Sequence, residues 1–271
     1  MAVKQTRGPV FDTAENIGRN TVRGVEEFGL AGVLVVQSFY WLVAGPRQRQ
    51  PVRLSAVFAE AREIGINALL IVGVLAATIG VMLAIQGIFT LRIFGAESRV
   101  VFGLAKSMTR EFAPLITGIL VAGRSGSALA ARIGTMKINQ ELDALSVMGI
   151  NPVRYLVAPA LIAMIIMVPA LTFFSELVGL LAAGVYVNLE LDIGLRAYWS
   201  QVLDSVTIDD LAHGLGKSAI FAVLIAIVGV VNGASVTGGA EGVGRATTRS
   251  VVHAISAIII TDMLFAFVVT R

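Results

Sequence analysis

The chain has no cysteine, two histidines and few charges: Asp, Glu, Lys and Arg make up 14% of its 271 residues. Without thiols there is no disulfide, no thiolate nucleophile and no cysteine-ligated metal. His213 and His253 alone leave no zinc-type ligand set and no nucleophile, base and orienting group for hydrolytic catalysis. Soluble domains carry about 25% charged residues, so a water-soluble fold is excluded too. What is present is apolar: 56% of the residues are hydrophobic and the mean hydropathy is +0.83. The composition is that of an integral membrane protein, and it excludes disorder and collagen by the same figures.

The net charge of +3 is no nucleic-acid signature, because the basic residues flank apolar runs and form no stripe interleaved with aromatics. Residues 1–27 mix Lys4, Arg7, Asp12, Glu15, Arg19, Arg23, Glu26 and Glu27 before any long apolar run, which is not a cleavable signal peptide. The N-terminus is expected to stay cytoplasmic.

A helix needs about 20 apolar residues to cross a bilayer core of roughly 30 Å. Runs long enough predict spans at about 64–91, 155–187, 214–236 and 248–270, the second of these long or kinked, with Pro159 near its entry and Pro169 inside it. A further span at about 100–122 holds Lys106, Arg110 and Glu111, which a helix tolerates on a face turned inward. The run 28–44 is short and ends in Phe39, Tyr40 and Trp41 before Gly45-Pro46 and three arginines, so it reads as a helix lying in the cytoplasmic leaflet, with a sixth span as the alternative. The expectation is an all-α integral membrane fold: a cytoplasmic arm and interfacial amphipathic helix over 1–53, then a domain of five transmembrane helices over 54–271. With five spans, most Lys and Arg fall on one side, while Arg92, Arg99 and Arg196 fall on the other. That bias puts the N-terminus inside and the C-terminus outside.

Between spans two and three, a Gly, Ser and Ala-rich stretch leads into a short helix with Asn139 as N-cap, Glu141 and Asp143 in its first turn, and Gly149 with Pro152 at its end. Leu142, Leu145 and Met148 recur as one apolar stripe of about two turns. So short a stripe cannot hold itself in place. It either closes a loop onto its own spans or docks into a groove on a cytoplasmic partner.

Two nucleotide-like motifs fail. His213-Gly-Leu-Gly-Lys-Ser218 has Leu211 where a phosphate loop needs its first glycine, and it opens an apolar span. Gly238-Gly-Ala-Glu-Gly-Val-Gly244 lacks the preceding strand and the later acidic residue of a dinucleotide site, and reads as a glycine-rich turn. In span one, Gly73, Gly80 and Gly87 lie near one face, where another helix can come close, within the chain or beyond it.

Arg110, Glu111, Glu176, Lys217 and Asp262 fall within or at the edge of spans. Neighbours in sequence do not share a helix face, so Arg110 and Glu111 should each meet another span, with Lys217 and Asp262 available. These pairs either lock the spans together or line a cavity. Glu176 is expected at the outer end of span three.

The chain resembles the MlaE/YrbE permease family, the membrane subunits of ABC-type lipid transporters that work with MCE proteins. The similarity rests on Arg110-Glu-Phe-Ala-Pro-Leu-Ile-Thr-Gly-Ile-Leu-Val-Ala-Gly-Arg124, on Glu141-Leu-Asp-Ala-Leu-Ser-Val-Met-Gly-Ile-Asn-Pro-Val-Arg-Tyr-Leu156 and on Gly238-Gly-Ala-Glu-Gly-Val-Gly-Arg-Ala-Thr-Thr-Arg-Ser-Val-Val252. It implies two permease chains, identical or related, forming a dimeric core in the cytoplasmic (inner) membrane. Glu141, Leu142, Asp143, Leu145, Met148 and Gly149 become the coupling helix to a cytoplasmic ABC ATPase dimer. Arg110, Glu111, Lys217 and Asp262 become a candidate lipid path. The chain itself is then non-catalytic and holds no cofactor or metal; ATP and Mg belong to the ATPase, and an MCE assembly carries phospholipid, fatty acid or sterol-like cargo onward. The competing reading is a proton-coupled secondary transporter of an apolar substrate, which has no need of a coupling helix.

Overall fold

The computed structural model describes residues 29, 32–34, 36–38, 40–41 and 52–269, and among them every regular element is helical. The N-terminal arm lies outside the described residues, and the expected interfacial helix lies only partly within them, where its described positions are helical. Five helical stretches are long and apolar enough to cross a membrane.

The first stretch is α1 (Leu54–Ile64), a short 3-10 turn (Ile66–Ala68) and α2 (Leu69–Arg92). The break falls at Gly65, where a Cβ would overlap the Met167 side chain. α1 is amphipathic, exposing Leu54 and Phe58 while burying Val57 and Ile64. α2 is apolar all round, as expected where one side meets protein and the other meets lipid. It buries Val72, Ala76, Gly80, Ala84 and Ile88, mostly small residues four apart. That row lets the third stretch approach closely, and a Cβ on Gly80 would overlap the Gly179 backbone carbonyl. The glycine row of span one thus serves packing within the chain, with Gly73 against Phe174 and Gly87 against Val100. Gly80→Val is expected to cost ~1–3 kcal/mol by overpacking, measured as a fall in melting temperature in detergent; an unchanged melt would mean that the two backbones can separate freely.

The second stretch runs as α3 (Val100–Ser107), a π turn (Met108–Phe112), α4 (Ala113–Val121), a second π turn (Ala122–Gly126) and α5 (Ser127–Ile138). Counted from the 3-10 turn Glu97–Arg99 that leads into it, it is 42 residues and about 60 Å long, twice a bilayer core. The helix does not end where the expected span ends, at 122, but continues through the Gly, Ser and Ala-rich stretch. Those small residues favour it because they seat a neighbouring helix, Gly126 meeting Ile225 and Gly134 meeting Val236. Two of the three π turns end two residues before a proline, Met108–Phe112 before Pro114 and Val153–Val157 before Pro159. A proline brings no N–H to the helical ladder, and wider turns reorganise the bonds around the gap.

After the short helix α6 (Glu141–Val147) and the π turn Val153–Val157, α7 (Ala158–Leu191) crosses with Pro169 inside it. It ends at Asp192 in the left-handed conformation. Helix α8 (Leu195–Ser205) lies across that end, with Tyr198 buried and its hydroxyl donating to the Leu180 carbonyl at 2.9 Å. Burial pushes the Tyr198 phenol above its ordinary value. Helix α9 (Ile208–Ala234) starts earlier than the expected 214, because Thr207 and Asp210 form a capping box: Asp210 N donates to Thr207 Oγ1 at 3.3 Å and Thr207 N to Asp210 Oδ2 at 2.8 Å. Gly238 and Gly239, at φ of 85° and 72°, make the turn into α10 (Gly239–Val269), which likewise begins before the expected 248.

The buried core forms one cluster toward the α6 end, around Val121, Met164, Phe221 and Ile225, and another toward the α8 end, around Met108, Leu180, Val187 and Tyr198. Leu70, Phe89, Met263 and Phe267 project outward as a lipid-facing surface does. The last stretch is only 11% buried, against 56% for α9.

Candidate functional site

Asp210, His213 and Lys217 recur at spacings of three and four, which puts them on one face of α9. Lys217 lies about 14 Å from the start of that helix. Its side chain is fully enclosed, and Nζ meets Glu111 Oε2 at 2.5 Å and Asp262 Oδ1 at 2.9 Å. About two turns toward the α8 end, the nearly buried Asp210 mirrors this arrangement. Its carboxylate takes Lys106 Nζ at 2.6 Å and faces the Arg110 guanidinium at 3.6 Å. A buried cation held by two carboxylates and a buried carboxylate held by two cations make a formally neutral cluster. Neutrality matters at this depth, because an isolated ion out of water costs several kcal/mol and only close, well-bonded partners offset it.

Of the four residues expected along a lipid path, the structure brings Glu111, Lys217 and Asp262 into one clamp. Arg110, adjacent to Glu111, turns to the other. Its partner Asp210 was missed, since the apolar-run reading began span four at 214, and the second cation Lys106, although noted within span two, was not counted with the site. The Thr-x-x-Asp capping signal was the available clue. Lys217 offers no surface of its own. Arg110 and Glu111 are each about a third exposed and form the open edge of the cluster.

Glu176 overturns its expected place. It lies fifteen residues before the end of α7 and is 2% exposed, because the helix runs on to Leu191. Its Oε1 has no hydrogen-bond partner among the described residues, nor has Nε2 of His213, whose ring packs edge-on against Phe265.

The second feature is α6. Asn139 is not its N-cap: it ends α5, and Gln140, in the left-handed conformation at φ 60°, makes the reversal into α6. A tight helix-to-helix reversal needs one such residue, whereas a capping asparagine would sit in extended backbone. Asn139 Nδ2 instead donates to Glu141 Oε1 at 3.1 Å. The end is as expected: Gly149, at φ 74°, closes a Schellman motif in which Ile150 N donates to Leu145 O at 2.9 Å and Gly149 N to Ser146 O at 3.0 Å. The expected stripe divides. Leu142 packs on the core and Leu145 is half-buried, while Met148 faces out beside Val147, a residue the stripe had omitted. Val147 is 89% and Met148 65% exposed, and Glu141 and Asp143 are exposed too.

Helix α5, which carries α6, is tied to its neighbours by charge. Arg124, in the second π turn, binds Glu63 through side chain and backbone at 3.0 and 3.1 Å. Arg132 pairs with Glu60 at 2.5 Å, and Lys137 donates to the Ala234 carbonyl. Through these contacts the helix that carries α6 is joined to both α1 and the end of α9.

Gly214-Leu-Gly-Lys-Ser218 runs inside α9 and forms no phosphate loop. Among the described residues no group of His, Asp and Glu is disposed to hold a metal.

Residues 57–268 match the family model described as Permease MlaE. A protein of Rickettsia conorii named "Probable ABC transporter permease protein" is 32% identical, over 94% of this chain and 96% of its own length. One of the same description from Synechocystis is 37% identical over 75% of this chain and 78% of its own. The "Intermembrane phospholipid transport system permease protein MlaE" of Haemophilus influenzae is 31% identical over 92% of this chain and 94% of its own.

Proposed function

The chain belongs to the MlaE permease family and is a non-catalytic, multi-pass permease subunit of an ABC transporter; from that premise we propose the rest of its working assembly. The cargo is a membrane lipid, of the phospholipid class named for the Haemophilus relative. Two permease chains enclose its path, a cytoplasmic ATPase pair binds ATP and Mg and pushes on α6, and an MCE assembly receives or delivers lipid on the other side. The α6 end is cytoplasmic in the inner membrane, and the C-terminus lies outside.

One observation carries this reading: a capped helix at one end of the bundle exposes Val147 and Met148 while its other face is anchored to the core. Apolar side chains held in the open on a helix too short to be a membrane element suit a groove in a protein partner. The low burial of the last span leaves room for a second chain or for lipid. Arg110 and Glu111, at the open edge of the neutral cluster, are placed to meet a zwitterionic or anionic headgroup. A proton-driven carrier would have no use for α6.

The test is purification from the native membrane in mild detergent, with mass spectrometry of every protein and lipid that accompanies the chain. An ATPase, an MCE protein and stoichiometric phospholipid are expected. A chain that reproducibly comes alone, without an ATPase, would overturn the assembly.

A further inference from the structure

Glu176 takes no part in the charge cluster, yet it lies in mid-helix in α7, 2% exposed, with Oε1 unpartnered among the described residues. The elements packed on this part of α7 bring it no counter-ion. α2 carries no charge before Arg92, and α4 carries none. Lys106 and Arg110 are engaged with Asp210, and Glu111 and Asp262 with Lys217. The charged residues of α8, Arg196 and Asp204, are exposed. His213, next to Gly214 on α9, has its ring edge-on against Phe265 of α10. A lone carboxylate at this depth would cost several kcal/mol, so its surroundings decide its chemistry.

Those surroundings include a backbone carbonyl that its own helix cannot satisfy. In the π turn Met108–Phe112 the N–H of Ala113 reaches back to the Met108 carbonyl, and the residue five beyond Thr109 is Pro114, which has no N–H. The ladder therefore offers the Thr109 carbonyl neither an α-type nor a π-type donor, and Thr109 is 1% exposed. This oxygen and Glu176 Oε1 border one point on α9: a Cβ on Gly214 would overlap the Thr109 carbonyl oxygen and stand 3.4 Å from Glu176 Oε1. Buried acceptors in folded chains are almost always bonded. Two acceptors meeting in a buried space repel unless one of them brings a proton, and of these two only the carboxyl can.

We propose that Glu176 binds a proton in the folded chain and donates it, directly or across one water, to the Thr109 carbonyl that Pro114 leaves without a donor. Glu176 is thereby a positioning residue: it latches the π turn that presents Arg110 to Asp210 and Glu111 to Lys217. The latch operates whatever the cargo is.

Two measurements on the full chain in detergent test the latch. The infrared difference between the parent and Glu176→Gln at neutral pH is expected to contain the carbonyl stretch of a carboxylic acid; bands of an ionised carboxylate in its place overturn the proposal. His213→Phe is expected to leave that stretch unchanged, and its loss or shift would give the proton to a carboxyl and imidazole pair and overturn the carbonyl as partner. The second measurement is a cycle of melting temperatures. Glu176→Gln, whose amide can donate to the same carbonyl, is expected to melt within about 2 °C of the parent, whereas Glu176→Met, of similar length but without a donor, is expected to melt about 3–8 °C lower, as one unsatisfied buried acceptor implies for a chain of this size. Pro114→Ala returns an N–H to the helix, so in that background the loss on Glu176→Met is expected to shrink to roughly half or less. An equal loss in both backgrounds would make Glu176 a packing residue and overturn the latch. Should Pro114→Ala fold poorly, the infrared measurement still decides whether the proton is held.

Discussion

Lys217→Met is expected to destabilise the folded chain by about 3–5 kcal/mol, the usual consequence of removing one partner from a buried ion cluster. The side chain is fully enclosed and is the shared counter-ion of Glu111 and Asp262. Without it, two carboxylates face each other at membrane depth. Glu111 is 39% exposed and can turn partly outward, so the larger share of the penalty falls on Asp262, at 18%. The measurement is the melting temperature in detergent together with the yield of monodisperse protein. Neutralising the orphaned partners should restore what the single change loses: Lys217→Met combined with Glu111→Gln and Asp262→Asn is expected to recover most of the stability, since replacing a whole buried ion set costs far less than breaking it. A Lys217→Met chain as stable as the parent would show that water already reaches the clamp. A stable triple variant that no longer moves lipid would give the charges a part in transport beyond holding spans together.

The reading of this cluster from sequence shows where such reading stops. Charged residues in apolar runs are conspicuous, and complementary signs made Lys217 a visible partner for Glu111, although Asp262, offered as a partner for the neighbouring pair, turns to Lys217 as well. Arg110 was harder. Its partner Asp210 lies in the first turn of α9, where a helix beginning at a membrane face needs no apolar residue and so leaves no hydropathy signal. The same physics hid the far end of the second stretch. Ser127 to Ile138 projects beyond the length a bilayer can cover, so small and polar residues replace apolar ones and the run seems to end at 122 although the backbone continues. Glu176 was misplaced for the opposite reason: an acidic residue reads as a boundary, yet α7 carries it buried in mid-helix.

Helix α6 was legible in its termination and not in its orientation. A glycine followed by Asn-Pro marks the end of a helix whatever lies around it. The rotation of the helix about its axis depends on the reversal at Gln140, a residue whose left-handed backbone nothing local announces. Turning on that reversal, Leu142 goes to the core and Val147 goes outward.

That rotation decides where the strongest effect on assembly should lie. Val147→Arg together with Met148→Glu is expected to abolish co-purification of the ATPase while leaving membrane insertion and melting temperature unchanged. Burying a valine or methionine side chain in a groove contributes about 1.5–3 kcal/mol each, and a charge forced into the same groove adds a desolvation penalty. A loss of about 4 kcal/mol already lowers affinity roughly a thousandfold. The fold should not notice, because both residues project from the protein and exposed substitutions fall within about 0.5 kcal/mol. Leu145→Arg is the informative contrast: Leu145 is half-buried, so its replacement should lower the melting temperature as well as the yield of complex. If the Val147 and Met148 variant still brings down its ATPase while Leu145→Arg does not, the docking surface is the inner face of α6, and the helix must turn over when the partner binds.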